Sequence, residues 1–148
     1  MEQFVLAIHN ILRWPVLILG LLAVLKAFNG WSSKKEWQGL DNKLGLGFTI
    51  SLDVQVLLGF LLYFVFSGIT KTAFSDIGTA LGNPSLRFFL FEHLLIMIAA
   101  SAFAHIGRSR AKKADTNVNK HKSTAIFFAI AMLLILAGIP WDRVLLPF

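Results

Sequence analysis

Residues 4–28 have the sequence FVLAIHNILRWPVLILGLLAVLKAF, an apolar run interrupted by only a few polar side chains. An α-helix rises 1.5 Å per residue, so about 20 such residues span a bilayer core of about 30 Å. Three further runs, at residues 46–68, 86–106 and 124–141, are long enough or nearly long enough to do the same. The sequence therefore predicts an all-α polytopic membrane protein, with one domain over residues 1–148 and four transmembrane helices.

The composition supports this class and excludes others. Hydrophobic residues make up 56% of the 148 residues and charged residues only 15%, whereas about 25% are charged in typical soluble proteins. A disordered chain and a soluble nucleic-acid binder are therefore excluded. The sequence contains no cysteine, which removes disulfides, thiolate zinc sites and cysteine-ligated iron–sulfur clusters. The expected partners are the lipid bilayer and other membrane protein subunits, with no nucleic acid.

The basic residues set the predicted orientation, because cytoplasmic loops of membrane proteins are enriched in lysine and arginine. Of the fourteen lysine and arginine residues, nine lie in the connectors at residues 29–45 and 107–123. A tenth, Lys26, lies just before the first connector. Three of the other four lie on the opposite side: Lys71, Arg87 and Arg143. We therefore expect an up-down four-helix bundle in a bacterial inner membrane, with the basic connectors in the cytoplasm and both termini outside.

The first helix carries two ionisable side chains at membrane depth, where such groups are costly and point to function. His9 and Arg13 are four residues apart and so share a helix face. Gly20 continues that face, and its lack of a side chain would let a partner helix or a flat ligand approach closely.

The third helix carries His93, which should lie at the depth of His9 because the first and third helices run in the same direction. Two histidines at matched depth on different helices are the usual axial pair of a haem inside a bundle. Met97 continues the His93 face. These residues predict a haem b site with His9 and His93 as iron ligands, and Arg13 beside a propionate or a quinone oxygen. The alternative is that both histidines hydrogen-bond between helices while Arg13 pairs with Glu92.

The remaining polar residues lie toward the cytoplasmic side. His105 follows His93 by twelve residues, a rotation of about 120°, which disfavours a second haem on the same face. We expect His105 either to form a buried pair with Asp53 or to lie at the interface. A proton or small-solute carrier using that pair is a further hypothesis. His121 lies in the lysine-rich third connector and is expected to be solvated.

Four short motifs resemble those of a group of small four-helix bacterial membrane proteins labelled cytochrome b-like: HNILRW at residues 9–14, EH at 92–93, HIGRSRAKK at 105–113 and GIPW at 138–141. The resemblance covers nearly the whole chain. It implies a b-type haem with His9 and His93 as its ligands. This chain has Asp53 where relatives often have histidine, which argues against a second haem.

The sequence contains no hydrolase, kinase or nucleotide-binding motif. This favours an electron carrier or an accessory subunit over an enzyme. The predicted function is haem-dependent electron transfer within a respiratory or quinol-linked membrane complex. The alternative is a structural accessory subunit of a larger membrane complex, without haem.

Overall fold

The computed structural model describes residues 1–143, in which helices are the only regular secondary structure. In chain order these are α1 (Glu2–Ser32), α2 (Gly39–Leu61), α3 (Gly68–Ser75), α4 (Ile77–Gly82), α5 (Pro84–Arg87), α6 (His93–Lys113) and α7 (Asn117–Gly138). A π-helical turn, Leu62–Phe66, extends α2, and a second one, Phe88–Glu92, joins α5 to α6. Four helical stretches are long and apolar enough to cross a membrane, namely α1, α2 with its π-turn, α5 to α6, and α7. The prediction of an all-helical chain with four candidate transmembrane helices is confirmed.

The long helices extend beyond the predicted apolar spans, so the connectors on the basic side are much shorter than predicted. Only residues 33–38 separate α1 from α2, and only residues 114–116 separate α6 from α7. Side chains at the helix starts stabilise these ends. The Thr116 hydroxyl accepts a hydrogen bond from the Asn119 backbone N–H, and the Asp41 carboxylate accepts one from the Gln38 backbone N–H. Polar sequence at these ends therefore continues the helices rather than forming loops.

Neighbouring long helices contact each other in antiparallel register. The Gln55 side chain donates to the His9 carbonyl at 2.7 Å, and Lys26 pairs with Asp41 at 3.2 Å. From one contact to the next, residue numbers therefore rise along α1 and fall along α2. Helix α1 packs against α2 and α7, and α6 packs against α7 and α2. As a result, α1 and α6 lie diagonally across from each other.

The main core lies in the half of the molecule nearer the basic residues. Its centre is the edge-on contact of Phe48 with Phe128, whose ring centroids are 4.9 Å apart. Small, fully buried residues surround these rings and let the helices approach closely: Ala23, Ala100, Ala104 and Ala131. Close packing here depends on small residues, as is common where helices associate in lipid.

The outer faces of the long helices are apolar. One large aliphatic side chain on each helix shows the pattern, with Ile18 55%, Leu57 62%, Leu95 61% and Leu133 68% exposed. A water-soluble domain of this size rarely exposes such a continuous apolar surface. The arrangement suits contact with lipid acyl chains.

Helices α3, α4 and α5 form a small cap at the end opposite the basic residues. The two π-helical turns meet beneath it, where the Tyr63 hydroxyl donates to the Leu90 carbonyl at 2.9 Å. Asp76 caps α4 by accepting hydrogen bonds from the backbone N–H and hydroxyl of Thr79. These bonds favour the carboxylate and hold the pKa of Asp76 below its usual value.

Gly107 is the position where a methyl group should disturb this packing most. A Cβ at Gly107 would collide with the Cβ of Phe127, an atom fixed to the α7 backbone. We expect Gly107→Ala to lower the free energy of unfolding in detergent by about 1–3 kcal/mol, as overpacked cores do. Gly39→Ala is the control, since a Cβ there meets nothing within 4 Å. Equal stability of the two variants would show that α6 and α7 do not pack as described.

Candidate functional site

A cavity of about 500 Å³ lies in the half of the molecule away from the basic residues. Residues of α1, α2, α6, the end of α7 and the cap line it. Its walls are mostly apolar, with a few polar side chains that point to a small number of specific contacts. That composition is typical of ligand and cofactor sites in proteins.

His9 and His93 face each other across this cavity. Their ring centroids are 6.4 Å apart and their planes meet at 71°. A bond from a metal to an imidazole nitrogen is about 2.0 Å long, so two imidazoles on opposite sides of one metal hold their centroids roughly 6 Å apart. The spacing of the two rings therefore suits a pair of axial ligands.

The Nδ1 atom of His93 has a hydrogen-bond partner on another helix. It lies 2.7 Å from the carbonyl oxygen of Gly138, near the end of α7. With Nδ1–H as the donor, this bond orients the ring and leaves Nε2 as the ligand atom. Metal-binding histidines are oriented in the same way by a backbone acceptor on the other nitrogen.

The side chain of His9, unlike that of His93, has a buried ring nitrogen without a hydrogen-bond partner among the described residues. Its Nδ1 atom is buried and has no hydrogen-bond partner among residues 1–143, and the same holds for Oε1 of Gln55. The other end of that amide, Nε2, donates to the His9 carbonyl. Buried polar atoms without a partner are rare and costly, by about 1–3 kcal/mol each. Both atoms belong to residues that line the cavity, and both ring nitrogens of the buried His121, at the other end of the molecule, lack a partner among the described residues in the same way.

Arg13 and Met97 line the same cavity as the two histidines. The Arg13 side chain is only 8% exposed. Glu92, the partner for Arg13 in the alternative prediction, pairs with Arg87 at 2.8 Å on the outer surface. Four of the five predicted site residues thus come together in one place.

Gly20, the fifth predicted site residue, does not line this cavity. A Cβ there would collide with Met132 and with the ring of Phe48. Gly20 therefore lets α1 pack against α2 and α7, as small residues in membrane helices often do. The helical periodicity correctly places Gly20 on a buried face of α1. At the depth of Gly20, however, this face contacts the packed core and not the cavity.

An aromatic wall that sequence reasoning missed borders His93. The rings of Phe88 and Phe89 lie with their centroids 5.8 and 6.0 Å from the His93 ring. Both belong to the π-helical turn that immediately precedes His93, and such turns are frequent at functional sites. No signal in the residue pattern distinguishes a π-turn from an ordinary helical turn here.

The rim of the cavity is tied together by contacts between distant parts of the chain. The Glu2 carboxylate accepts a hydrogen bond from the Gly68 backbone N–H at 3.0 Å. Arg143 donates to the Ser85 hydroxyl at 3.1 Å and lies over the Phe89 ring. Both ends of the described chain therefore help to close the cavity.

The Asp53–His105 pair is present but lies apart from the cavity. His105 Nε2 is 2.7 Å from Asp53 Oδ1, as one alternative predicted. The pair is not buried, because the two side chains are 44% and 51% exposed on the groove between α2 and α6.

The expectation that His121 is solvated is wrong. Its side chain is 1% exposed, and its ring lies against Gly30 and Trp37, the latter with centroids 5.0 Å apart. The part of the predicted connector that contains His121 forms the start of α7 instead. Gly30 has no side chain, and the His121 ring fills the space that this leaves on α1.

Two histidines do not complete the coordination of a bare metal ion. Residues 1–143 hold no group of three or more histidine, cysteine, aspartate or glutamate side chains placed to bind one. A metal between His9 and His93 would need its other ligands from a cofactor, and the porphyrin nitrogens of a haem would supply them. The residues present fit such a group.

No family model matches this chain, and no curated protein and no solved structure matches it either. The resemblance to cytochrome b-like proteins is neither supported nor contradicted by these comparisons. The functional argument therefore depends on the geometry of the cavity.

The two histidines should respond differently to substitution in protein prepared without cofactor. His93→Leu removes the hydrogen bond to Gly138 and should lower the free energy of unfolding by about 1–3 kcal/mol. His9→Leu removes a buried nitrogen that has no partner and should be neutral or stabilising. Chemical unfolding in detergent measures both. Equal losses in the two variants would contradict the described hydrogen bonding.

Proposed function

We propose that this protein is an integral membrane electron carrier that binds one b-type haem between His9 and His93. The observation that carries the proposal is the pair of imidazoles 6.4 Å apart across an apolar cavity of about 500 Å³.

The protein's own residues have distinct roles in this proposal. His93 is held by the Gly138 carbonyl, so its Nε2 is oriented before any ligand binds. His9 is positioned from the backbone, where the Gln55 amide fixes α1 against α2. When bound, a b-type haem supplies reversible one-electron transfer, and with two histidine ligands it has no open position for oxygen. The chain therefore acts as a carrier and not as an enzyme by itself.

Charged groups on the cavity wall complement such a ligand. Arg13 lies inside the cavity and Arg143 at its rim, where either cation suits a propionate or a quinone oxygen. The mostly apolar walls, including Phe89, would keep water away from a haem bound between the two histidines. A dry, low-dielectric site of this kind is one of the means by which proteins set haem potentials.

We propose a bacterial inner membrane as the location, with the basic end in the cytoplasm and both termini outside. Ten of the fourteen basic residues support this orientation. It places the cavity in the outer half of the bilayer, where an electron acceptor or donor outside the cytoplasm has the shortest path to it. A respiratory or quinol-linked complex is the context that fits this placement.

An accessory subunit without haem is the second candidate, and the Asp53–His105 pair favours it. An ionisable pair on the outside of two membrane helices is costly in lipid. A neighbouring subunit packed into the groove between α2 and α6 would cover the pair. The two proposals are compatible, because a haem-binding chain can also be one subunit of a complex.

Single-cysteine labelling tests the proposed orientation. The chain contains no cysteine, so Ser33→Cys and Ser75→Cys each introduce one thiol at an exposed position on opposite ends. An impermeant thiol reagent applied to intact cells should label Ser75→Cys and leave Ser33→Cys unlabelled until the cells are opened. The reverse pattern would invert the topology.

The visible spectrum tests the haem. Wild-type protein should show a sharp reduced α-band of a six-coordinate low-spin b haem. His9→Ala and His93→Ala should each lose this band, because one imidazole does not hold the iron low-spin. His105→Ala is the matched control, since His105 lies outside the cavity, and it should keep the band.

Two results would contradict this proposal. Wild-type protein expressed with an adequate haem supply could purify colourless, which would leave the accessory-subunit function. Alternatively, His105→Ala could abolish the band while His9→Ala keeps it, which would move the haem to the basic half.

A further inference from the structure

A second, smaller cavity of about 180 Å³ lies at the basic end, between the start of α2, the end of α6 and the start of α7. Three cationic side chains line it: Arg108 and Lys112 from α6, and Lys120 from α7. It is separate from the histidine cavity and shares no lining residue with it. The haem proposal does not use it.

The positive charge of this cavity is not cancelled by nearby carboxylates. Asp41 also lines it, but its two oxygens are occupied, one by Lys26 at 3.2 Å and the other by the Gln38 backbone N–H at 2.8 Å. Among residues 1–143, neither Arg108 nor Lys120 forms an ion pair. The cavity therefore presents an excess of positive charge.

The two best-placed cations are held in position by neutral acceptors. Arg108 Nη1 donates to the Asn42 carbonyl at 3.3 Å, and Lys120 Nζ donates to the Ala111 carbonyl at 3.0 Å. The guanidinium also lies close to α2 at Gly45, where a Cβ would be 3.4 Å from Nη1. An arginine has five N–H donors and a lysine three, so donors remain for a further acceptor. The site is preorganised for an anion.

The chemistry and size of the site indicate which anion. A guanidinium fork and an ammonium group together match the oxygens of a phosphate. The cavity volume of about 180 Å³ is large enough for a phosphate group together with ordered water. Leu46 follows the lining residue Gly45 on α2 and is 41% exposed, so an apolar surface begins next to the charged cavity.

We propose that this cavity binds one phosphate group, with the headgroup of an anionic phospholipid as its source in the membrane. Basic pockets between transmembrane helices on the cytoplasmic side bind such headgroups in general. Bound there, the phosphate would join α2, α6 and α7 at the end where their connectors are short.

The test compares two double variants of the full chain that remove the same charge. Arg108→Gln with Lys120→Gln empties the cavity of its two fixed cations. Arg110→Gln with Lys122→Gln is the matched control, with one residue on each of the same helices. Their side chains lie instead over the rings of Phe127 and Trp31. Native mass spectrometry in detergent, titrated with phosphatidylglycerol or phosphatidylcholine, measures the binding of single lipids.

We expect the wild type and the control variant to bind one phosphatidylglycerol with similar affinity, well above that for phosphatidylcholine. The cavity variant should lose this affinity about tenfold or more. Equal affinity in the two double variants would overturn the proposal, because the basic end would then attract anionic lipid without a site.

Two further arms complete the test. Inorganic phosphate is compared with chloride at matched ionic strength. If phosphate raises the thermal unfolding temperature of the wild type but not of the cavity variant, and no lipid preference is seen, the site takes free phosphate.

If the cavity variant does not fold, Arg108→Lys replaces it, because this substitution keeps the positive charge and removes the two-pronged guanidinium. It should bind phosphatidylglycerol several-fold more weakly than the wild type, and unchanged binding would overturn the proposal.

Discussion

Close helix packing at small residues is the constraint on which the rest of this structure depends. Lipid provides no hydrophobic drive for helices to associate, so their contacts come from van der Waals packing at close approach. In the basic half, Gly20, Gly107 and the buried alanines around Phe48 and Phe128 permit that approach. In the other half, histidine and aromatic side chains and two π-helical turns occupy the helix faces. The packing there leaves a cavity between α1 and α6.

This asymmetry divides the molecule into two chemically different ends. The histidine cavity lies under the cap of short helices, with an apolar wall and few polar groups. The opposite end holds most of the positive charge and a small cavity lined by Arg108 and Lys120. In the proposed orientation, one end would exchange electrons near the outer surface, and the other would contact anionic headgroups in the cytoplasmic leaflet. The tightly packed core between them holds both sites at fixed depths.

The sequence was sufficient to predict the four long helices and the matched depth of His9 and His93, because length, hydropathy and rise per residue determine both. It was not sufficient for positions that depend on how each helix rotates. His121 is polar and lies among lysines, yet the slot at Gly30 buries it. Asp53 and His105 pair as one alternative expected, but only the packed structure shows that they face outward. Haem ligation by the two histidines stays a prediction.

Electron paramagnetic resonance of the oxidised protein tests the central claim most directly. A haem held by His9 and His93 would give a low-spin ferric signal, because two imidazole ligands would supply a strong ligand field. The account predicts this signal at about one haem per chain, and its loss in His93→Ala. A high-spin ferric signal in the wild type, or a low-spin signal that survives both histidine substitutions, would contradict it.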